Sequence, residues 1–234
     1  NEWQVVGIQP LEGGAPVREE EAFDVQVIGS DVNRDYKPPP GVKIRRNLQS
    51  RTREREQSLV LNYSNLEPLH EAVSTRVLSL TRPANYTKYT RLRMYVHGDE
   101  EQTEYAGPDS SELELFLRFG VDSTNYYEYA TRVFPGWDRR NEVEIDLVEM
   151  ARLKLKVPAE GLRRDQVLDT LIADGAVRDG APAWYRMRGS PSMQQVKQLS
   201  LGVRHQGRRR PFSCRVFADE MRLDGARNDP GLAA

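Results

Sequence analysis

The chain has a single cysteine, no long apolar run, only three histidines and no surplus of charge, and each shortage removes a class of protein. Cys214 is the only cysteine in 234 residues, so no internal disulfide can form. It stands in a segment of alternating apolar residues, which reads as a small buried hydrophobe rather than a reactive thiol. No stretch approaches the roughly 18 consecutive apolar residues of a membrane-spanning helix. The 34 basic residues against 35 acidic ones leave a net charge of −1, which gives no footing for binding nucleic acid or anionic membranes through bulk charge. His70, His97 and His205 fall at separate strand ends or turns with no obvious partner. No His-x-x-x-His or cysteine-rich spacing exists, so a zinc site is not expected. The first residues lack the layout of a signal peptide. The chain opens on Asn-Glu-Trp and closes on Pro-Gly-Leu-Ala-Ala, as an excised piece of a longer polypeptide would.

What is present is alternation. From Leu113 to Gly120 apolar and polar residues take turns, a Val-Asp-Ser-Thr-Asn turn follows, and a second alternating run carries Tyr127, Tyr129, Thr131 and Val133 on one face. That is a β-hairpin with one buried side. Comparable runs cover Trp3–Ile8, Phe23–Ile28, Leu59–Tyr63, Val73–Leu78, Leu92–Val96, Val143–Leu147, Leu199–Val203 and Arg215–Leu223. Many short strands with turn signals between them predict an all-β fold: a jelly-roll-like β-sandwich of the kind carbohydrate-binding modules use, with one or two short helices. The helices are expected over Leu147–Lys156 and, as an amphipathic segment capped by Gly175, over Asp165–Ala173. Tyr36-Lys37-Pro38-Pro39-Pro40-Gly41 and the basic, aperiodic run to Arg55 read as a solvated connector. The expected organisation is residues 1–57 as N-terminal strands and connector, 58–225 as the sandwich, and 226–234 as a tail.

No nucleophile–base pair stands out, and no catalytic residue is assigned. Acidic pairs such as Asp109 with Glu112, or Asp219 with Glu220, have the residue types for acid–base work. In alternating strands, however, such residues form the wet face of a sheet. Tyr126, Tyr127 and Tyr129, with Phe134 and Trp137 nearby, allow two readings. Tyr126 and Trp137 could stack on sugar rings, making the chain an extracellular carbohydrate-binding module. Alternatively, Tyr127 and Tyr129 point into the sandwich while Tyr126 lines an edge. No cofactor is expected. Asp219, in the last strand, sits where sugar-binding jelly rolls can hold a structural calcium, but one carboxylate is not a site.

Several blocks, read in order, resemble one family. They are Tyr36–Val42, Glu56–Leu61, Asn65–Pro68, Tyr89–Gly98, the stretch Leu113–Tyr129, Gly189–Met193, Leu201–Arg204 and Val216–Gly225. Together they resemble segments of the SprA family, giant outer-membrane proteins of Bacteroidetes-like bacteria linked to gliding motility and the type IX secretion translocon. The resemblance runs from about residue 36 to the C-terminus and weakens over Arg163–Ala183, which reads as an insertion. It implies a very large transmembrane β-barrel with soluble domains between its strands, of which this chain would be one. It implies a cell-envelope, outer-membrane location, with other channel subunits or secreted proteins as partners, and no enzymatic activity. No run here has the unbroken lipid-facing alternation over roughly 9–11 residues that a barrel strand needs.

Overall fold

A computed structural model describes residues 2–29, 39, 57–101, 112–158, 166–171, 181–207 and 210–227. Within them twelve strands form two antiparallel sheets packed face to face. In chain order they are β1 (Gln4–Pro10), β2 (Ala22–Gly29), β3 (Gln57–Leu66), β4 (His70–Val77), β5 (Tyr89–Gly98), β6 (Leu113–Asp122) and β7 (Asn125–Arg132). Then come β8 (Val143–Asp146), β9 (Val167–Leu171), β10 (Ala183–Arg188), β11 (Gln198–His205) and β12 (Phe212–Ala226). The larger sheet has the order β1-β4-β11-β6-β7-β10-β9 and the smaller one β2-β3-β12-β5-β8. Successive strands repeatedly change sheets, as in a jelly roll, so most neighbours within a sheet are distant in sequence.

The alternation in the sequence fixes which side chains face inward. Leu113, Leu115, Leu117 and Phe119 of β6 join Tyr127 and Tyr129 of β7 and Leu199, Leu201 and Val203 of β11. They meet Leu59, Leu61 and Tyr63 of β3, Leu92, Met94 and Val96 of β5, and Cys214 and Val216 of β12. Cys214 is buried, and burial pushes its thiol pKa well up, as a small core hydrophobe should behave. The expected helix after β8 is present as α1 (Leu147–Ala151), followed by a 3-10 turn over Arg152–Lys156. Asp146 caps it by accepting from the backbone N–H groups of Val148 and Glu149, and Leu147, Met150 and Leu153 are buried.

The expected helix over Asp165–Ala173 is not formed: Val167–Leu171 is strand β9 at the edge of the larger sheet. The spacing of Val167, Leu168, Leu171 and Ile172 suits a helix. The open edge of β10 nevertheless offers this segment a full ladder, with Trp184 opposite Leu171 and Arg188 opposite Val167. Leu168 packs toward the core, and Asp169 accepts a hydrogen bond from Arg186 Nε at 3.0 Å. Edge pairing overrides local helix spacing. β10 itself, Ala183-Trp184-Tyr185-Arg186-Met187-Arg188, alternates cleanly but is absent from the expected strands. Apart from Pro39, the connector expected from Tyr36 to Arg55 lies outside the described residues, as do the Gly175 cap and the tail beyond residue 227.

The two N-terminal strands are edge strands of the two sheets, β1 on β4 and β2 on β3. Between them Glu21 meets the buried His70: its Oε2 lies 2.7 Å from His70 Nδ1, while Nε2 of the same ring lies 2.7 Å from the Ala15 carbonyl. Glu21 also accepts from the backbone N–H groups of Arg18 and Glu67. Burial opposes the ionised Glu21 carboxylate, but these bonds prevail and lower its pKa.

Gly202 of β11 is a point of close backbone approach in the larger sheet. A Cβ there would stand 2.2 Å from the Ala72 carbonyl oxygen and 2.5 Å from Phe116 Cζ. Gly202→Ala should therefore destabilise the domain by about 1–3 kcal/mol, the usual cost of overpacking. Urea unfolding checks this, and an unchanged midpoint would contradict the packing described.

Candidate functional site

The most densely organised group of polar side chains lies on the outer face of the larger sheet. Strand register sets it out in rows running across the strands. One row is Gln9, Glu71, Arg204, Glu114 and Arg132; the next is Gly7, Val73, Gly202, Phe116, Ala130 and Trp184. A third is Thr75, Ser200, Arg118, Glu128, Arg186 and Asp169, and a fourth is Gln198, Gly120, Tyr126 and Arg188. An apolar row thus runs between two charged ones. Among the described residues no third layer covers it, yet Phe116, Val73 and Ala130 are buried. The charged rows fold over the apolar one: the guanidinium carbons of Arg118 and Arg204 lie 4.2 and 4.4 Å from the centre of the Phe116 ring, and Arg186 lies over Trp184. Cation–π contact favours this stacking.

The same three arginines meet three glutamates. Arg204 donates from Nε to Glu71 at 2.8 Å, from Nη1 to Glu114 and Glu128 at 2.7 and 2.8 Å, and from Nη2 to Glu128 at 2.6 Å. Arg118 donates to Glu128 at 2.7 Å and to both oxygens of Glu71 at 2.8 and 3.0 Å. Arg186 donates to Glu114 at 2.8 Å and to Glu128 at 3.0 Å. Gln9 donates to Glu71 at 2.6 Å. Glu128 is 1% exposed and Arg204 5%. Burial alone would raise the Glu128 pKa, but the charges of Arg204 and Arg118 outweigh it and hold the carboxyl far below the ordinary carboxylate range. Glu71 is likewise lowered against burial, by Arg118 and Arg204. Arg118, Arg186 and Arg204 are raised, since the facing carboxylates outweigh their own desolvation. Glu71 and Glu128 are therefore held ionised and are not proton donors at neutral pH.

These glutamates correct an expectation. Acidic residues in alternating strands read as a wet face, but Glu71, Glu114 and Glu128 are buried. Their neutralising partners stand as far as 133 residues away in the chain, and Arg186 sits on the unexpected strand β10. The histidines also differ from expectation, since each has a carboxylate nearby. Besides the His70–Glu21 pair, His205 Nε2 lies 3.4 Å from Glu112 and His97 Nε2 lies 3.5 Å from Glu100.

The structure separates the two sequence candidates for sugar stacking. Tyr126 lies on the outer face of the larger sheet, 6% exposed, with the Arg118 guanidinium 4.9 Å from its ring centre. Trp137 instead packs against His97 of β5 in the smaller sheet, ring centres 4.9 Å apart, and its Nε1 is buried with no hydrogen-bond partner among the described residues. Tyr127 and Tyr129 face the core. Asp219 is buried on β12, where its carboxylate accepts the backbone N–H of Glu220 at 2.9 Å, beside a bulge at which Glu220 has φ 53. Asp109 lies outside the described residues. Among the described residues no group of three or more histidine, cysteine, aspartate or glutamate side chains is arranged to hold a metal ion.

No protein-family model matches the chain, and no curated protein matches it. Among solved structures it is similar to an exo-beta-agarase, with a TM-score of 0.47 and 10% identity over 94% of this chain. The chain spans 25% of the agarase chain's length. That likeness is too distant to carry activity, substrate or partner across.

Removing one member of the lattice leaves buried charges without a counterion. Arg204→Met should cost about 3–5 kcal/mol in urea unfolding. The lowered carboxylates also set a sign for pH. Their stabilisation is fully present above the unfolded pKa near 4.5 and is lost as pH falls through the depressed folded values. Stability should thus fall progressively below about pH 5, and Glu128→Gln should flatten that acid limb. An acid limb of unchanged slope in Glu128→Gln would contradict the assignment.

Proposed function

We propose that this chain is a non-enzymatic β-sandwich domain of a SprA-type outer-membrane protein of the type IX secretion and gliding machinery. In that role it is a scaffold, cap or docking surface for secreted proteins or other channel subunits. The observation that carries the non-enzymatic part is the ionised lattice. Glycoside hydrolysis and related acid–base chemistry need a carboxyl held protonated, with a raised pKa. Here Glu71 and Glu128 are pulled in the opposite direction by arginines. What such a lattice supplies is a stiff, charge-balanced sheet face, which suits recognition by surface complementarity.

The parentage rests on the ordered blocks, and their places in the fold support it. Tyr89–Gly98 is β5, Leu113–Tyr129 spans β6 and most of β7, Leu201–Arg204 lies in β11 and Val216–Gly225 lies in β12. These are interior strands of the two sheets. The blocks thus fall on interior strands of both sheets and are not confined to a surface motif.

Two measurements test the reading. The reading frame encoding this chain should extend on both sides into repeated strands of roughly 9–11 residues with lipid-facing alternation. The parent protein should fractionate with the outer membrane, and in-frame deletion of this domain should reduce secreted protein while the barrel remains inserted. A short, free-standing gene would end the proposal, as would undiminished secretion after the deletion.

A further inference from the structure

The fourth row on the outer face of the larger sheet is interrupted. Gly120, between Gln198 and Tyr126, contributes no side chain, and none fits, because a Cβ would stand 2.1 Å from the Asn125 carbonyl oxygen. The gap opens a cavity of about 310 Å³, bordered by β1 on one side and by the β6–β7 turn and Arg188 on the other. That is the low end of small-molecule sites, roughly 300–1,000 Å³.

Its chemistry is specific. Two arginines, Arg118 and Arg188, and two carboxylates, Glu71 and Asp122, line it, so the formal charges cancel. The carboxylates are already engaged: Glu71 by Arg118, Arg204 and Gln9, and Asp122 by the backbone N–H groups of Thr124 and Asn125 and by the Thr124 hydroxyl. A cation entering the cavity would lose water and find both carboxylates committed, and an anion would find Arg118 committed to Glu71 and Glu128, an unfavourable exchange. The remaining polar lining consists of hydroxyls and amides: Gln9, Ser123, Thr124, Gln198 and Ser200. Gln9 and Thr124 donate to Glu71 and Asp122, and Gln198 Nε2 donates to Ser200 Oγ at 3.3 Å, yet each amide and hydroxyl keeps further hydrogen-bonding capacity for groups that both donate and accept. Val73 and Tyr126 add apolar surface, and Val6 stands 60% exposed at the border. The floor is held by strand pairing and by the ion lattice, so the polar groups need little ordering when a ligand arrives.

We propose that this cavity binds a neutral, hydroxyl-rich ring, a sugar unit of a glycan, with Gln198 and Ser200 hydrogen-bonding its hydroxyls and the exposed Val6 covering its C–H face. The site is separate from Trp137, and the proposal does not depend on the outer-membrane parentage.

The test is titration of the domain with glucose, maltose, cellobiose and N,N′-diacetylchitobiose as probes, followed by calorimetry and backbone amide NMR. Saturable shifts are expected around residues 120–126 and 198–200, stronger for a disaccharide than for glucose if the source is a glycan chain. Gln198→Ala should weaken binding about tenfold, the worth of one or two neutral hydrogen bonds. Gln198→Trp, a substitution at a half-buried surface position, should block the cavity and abolish binding while melting as the parent does. Trp137→Ala should bind normally. Three outcomes overturn the proposal: no saturable binding of any probe, binding undiminished in Gln198→Trp, or loss of binding in Trp137→Ala. Tighter binding of glucuronate or glucosamine than of glucose would overturn the neutral-ligand assignment.

Discussion

The outer face of the larger sheet depends on one arrangement: three arginines folded over an apolar row and fastened to three buried glutamates. Without it, Phe116, Val73 and Ala130 would form an exposed hydrophobic stripe, which a sheet cannot leave open without inviting association. The guanidinium groups do two jobs at once. Their flat faces cover Phe116 and Trp184, and their edges satisfy the carboxylate oxygens bidentately or in bridges. Arginine suits both tasks because it is planar, always charged and weakly hydrated. Lysine could supply the charge but not the roof.

Much of the architecture was legible because one physical rule dominates it. In a sandwich, side chains alternate between core and outside, so strands β3, β5, β6, β7 and β12 announce themselves through residues such as Leu115, Leu117 and Tyr127. The same rule explains the misreadings. Val167–Leu171 has helical spacing but becomes strand because β10 presents an unpaired edge, a fact set by tertiary structure. Glu114 and Arg118 look like an ordinary polar face because alternation reports only inside or outside. It does not report that Arg204, Glu71 and Arg186 arrive from other strands to make the outside a second, ionic interior. Apart from Arg118 and Glu128 across the β6–β7 hairpin, these ion pairs span 47 to 133 residues and leave no local trace. Trp184-Tyr185-Arg186 was the available signal for β10, an alternation of apolar and basic residues as clear as that of β6.

The site has a consistent functional logic. Buried ion networks contribute little net stability compared with well-packed apolar residues, and they are costly to disturb. Such a face therefore adds little net energy, while each of its members is costly to remove. The tyrosines that first suggested a sugar platform divide between roles: Tyr127 and Tyr129 in the core, Tyr126 beneath an arginine at the border of a small polar cavity. Under the proposed reading such a domain would recognise by shape and hydrogen bonding, with the charges of this sheet face spent on one another.

The central claim is that Arg204 and Glu128 act as one unit within that ionic roof. A double-mutant cycle with Arg204→Met and Glu128→Gln, read by urea unfolding at neutral pH, tests it directly. The account predicts a coupling of about 2–3 kcal/mol, with the double variant clearly more stable than the sum of the single losses would give. Strictly additive losses would contradict it.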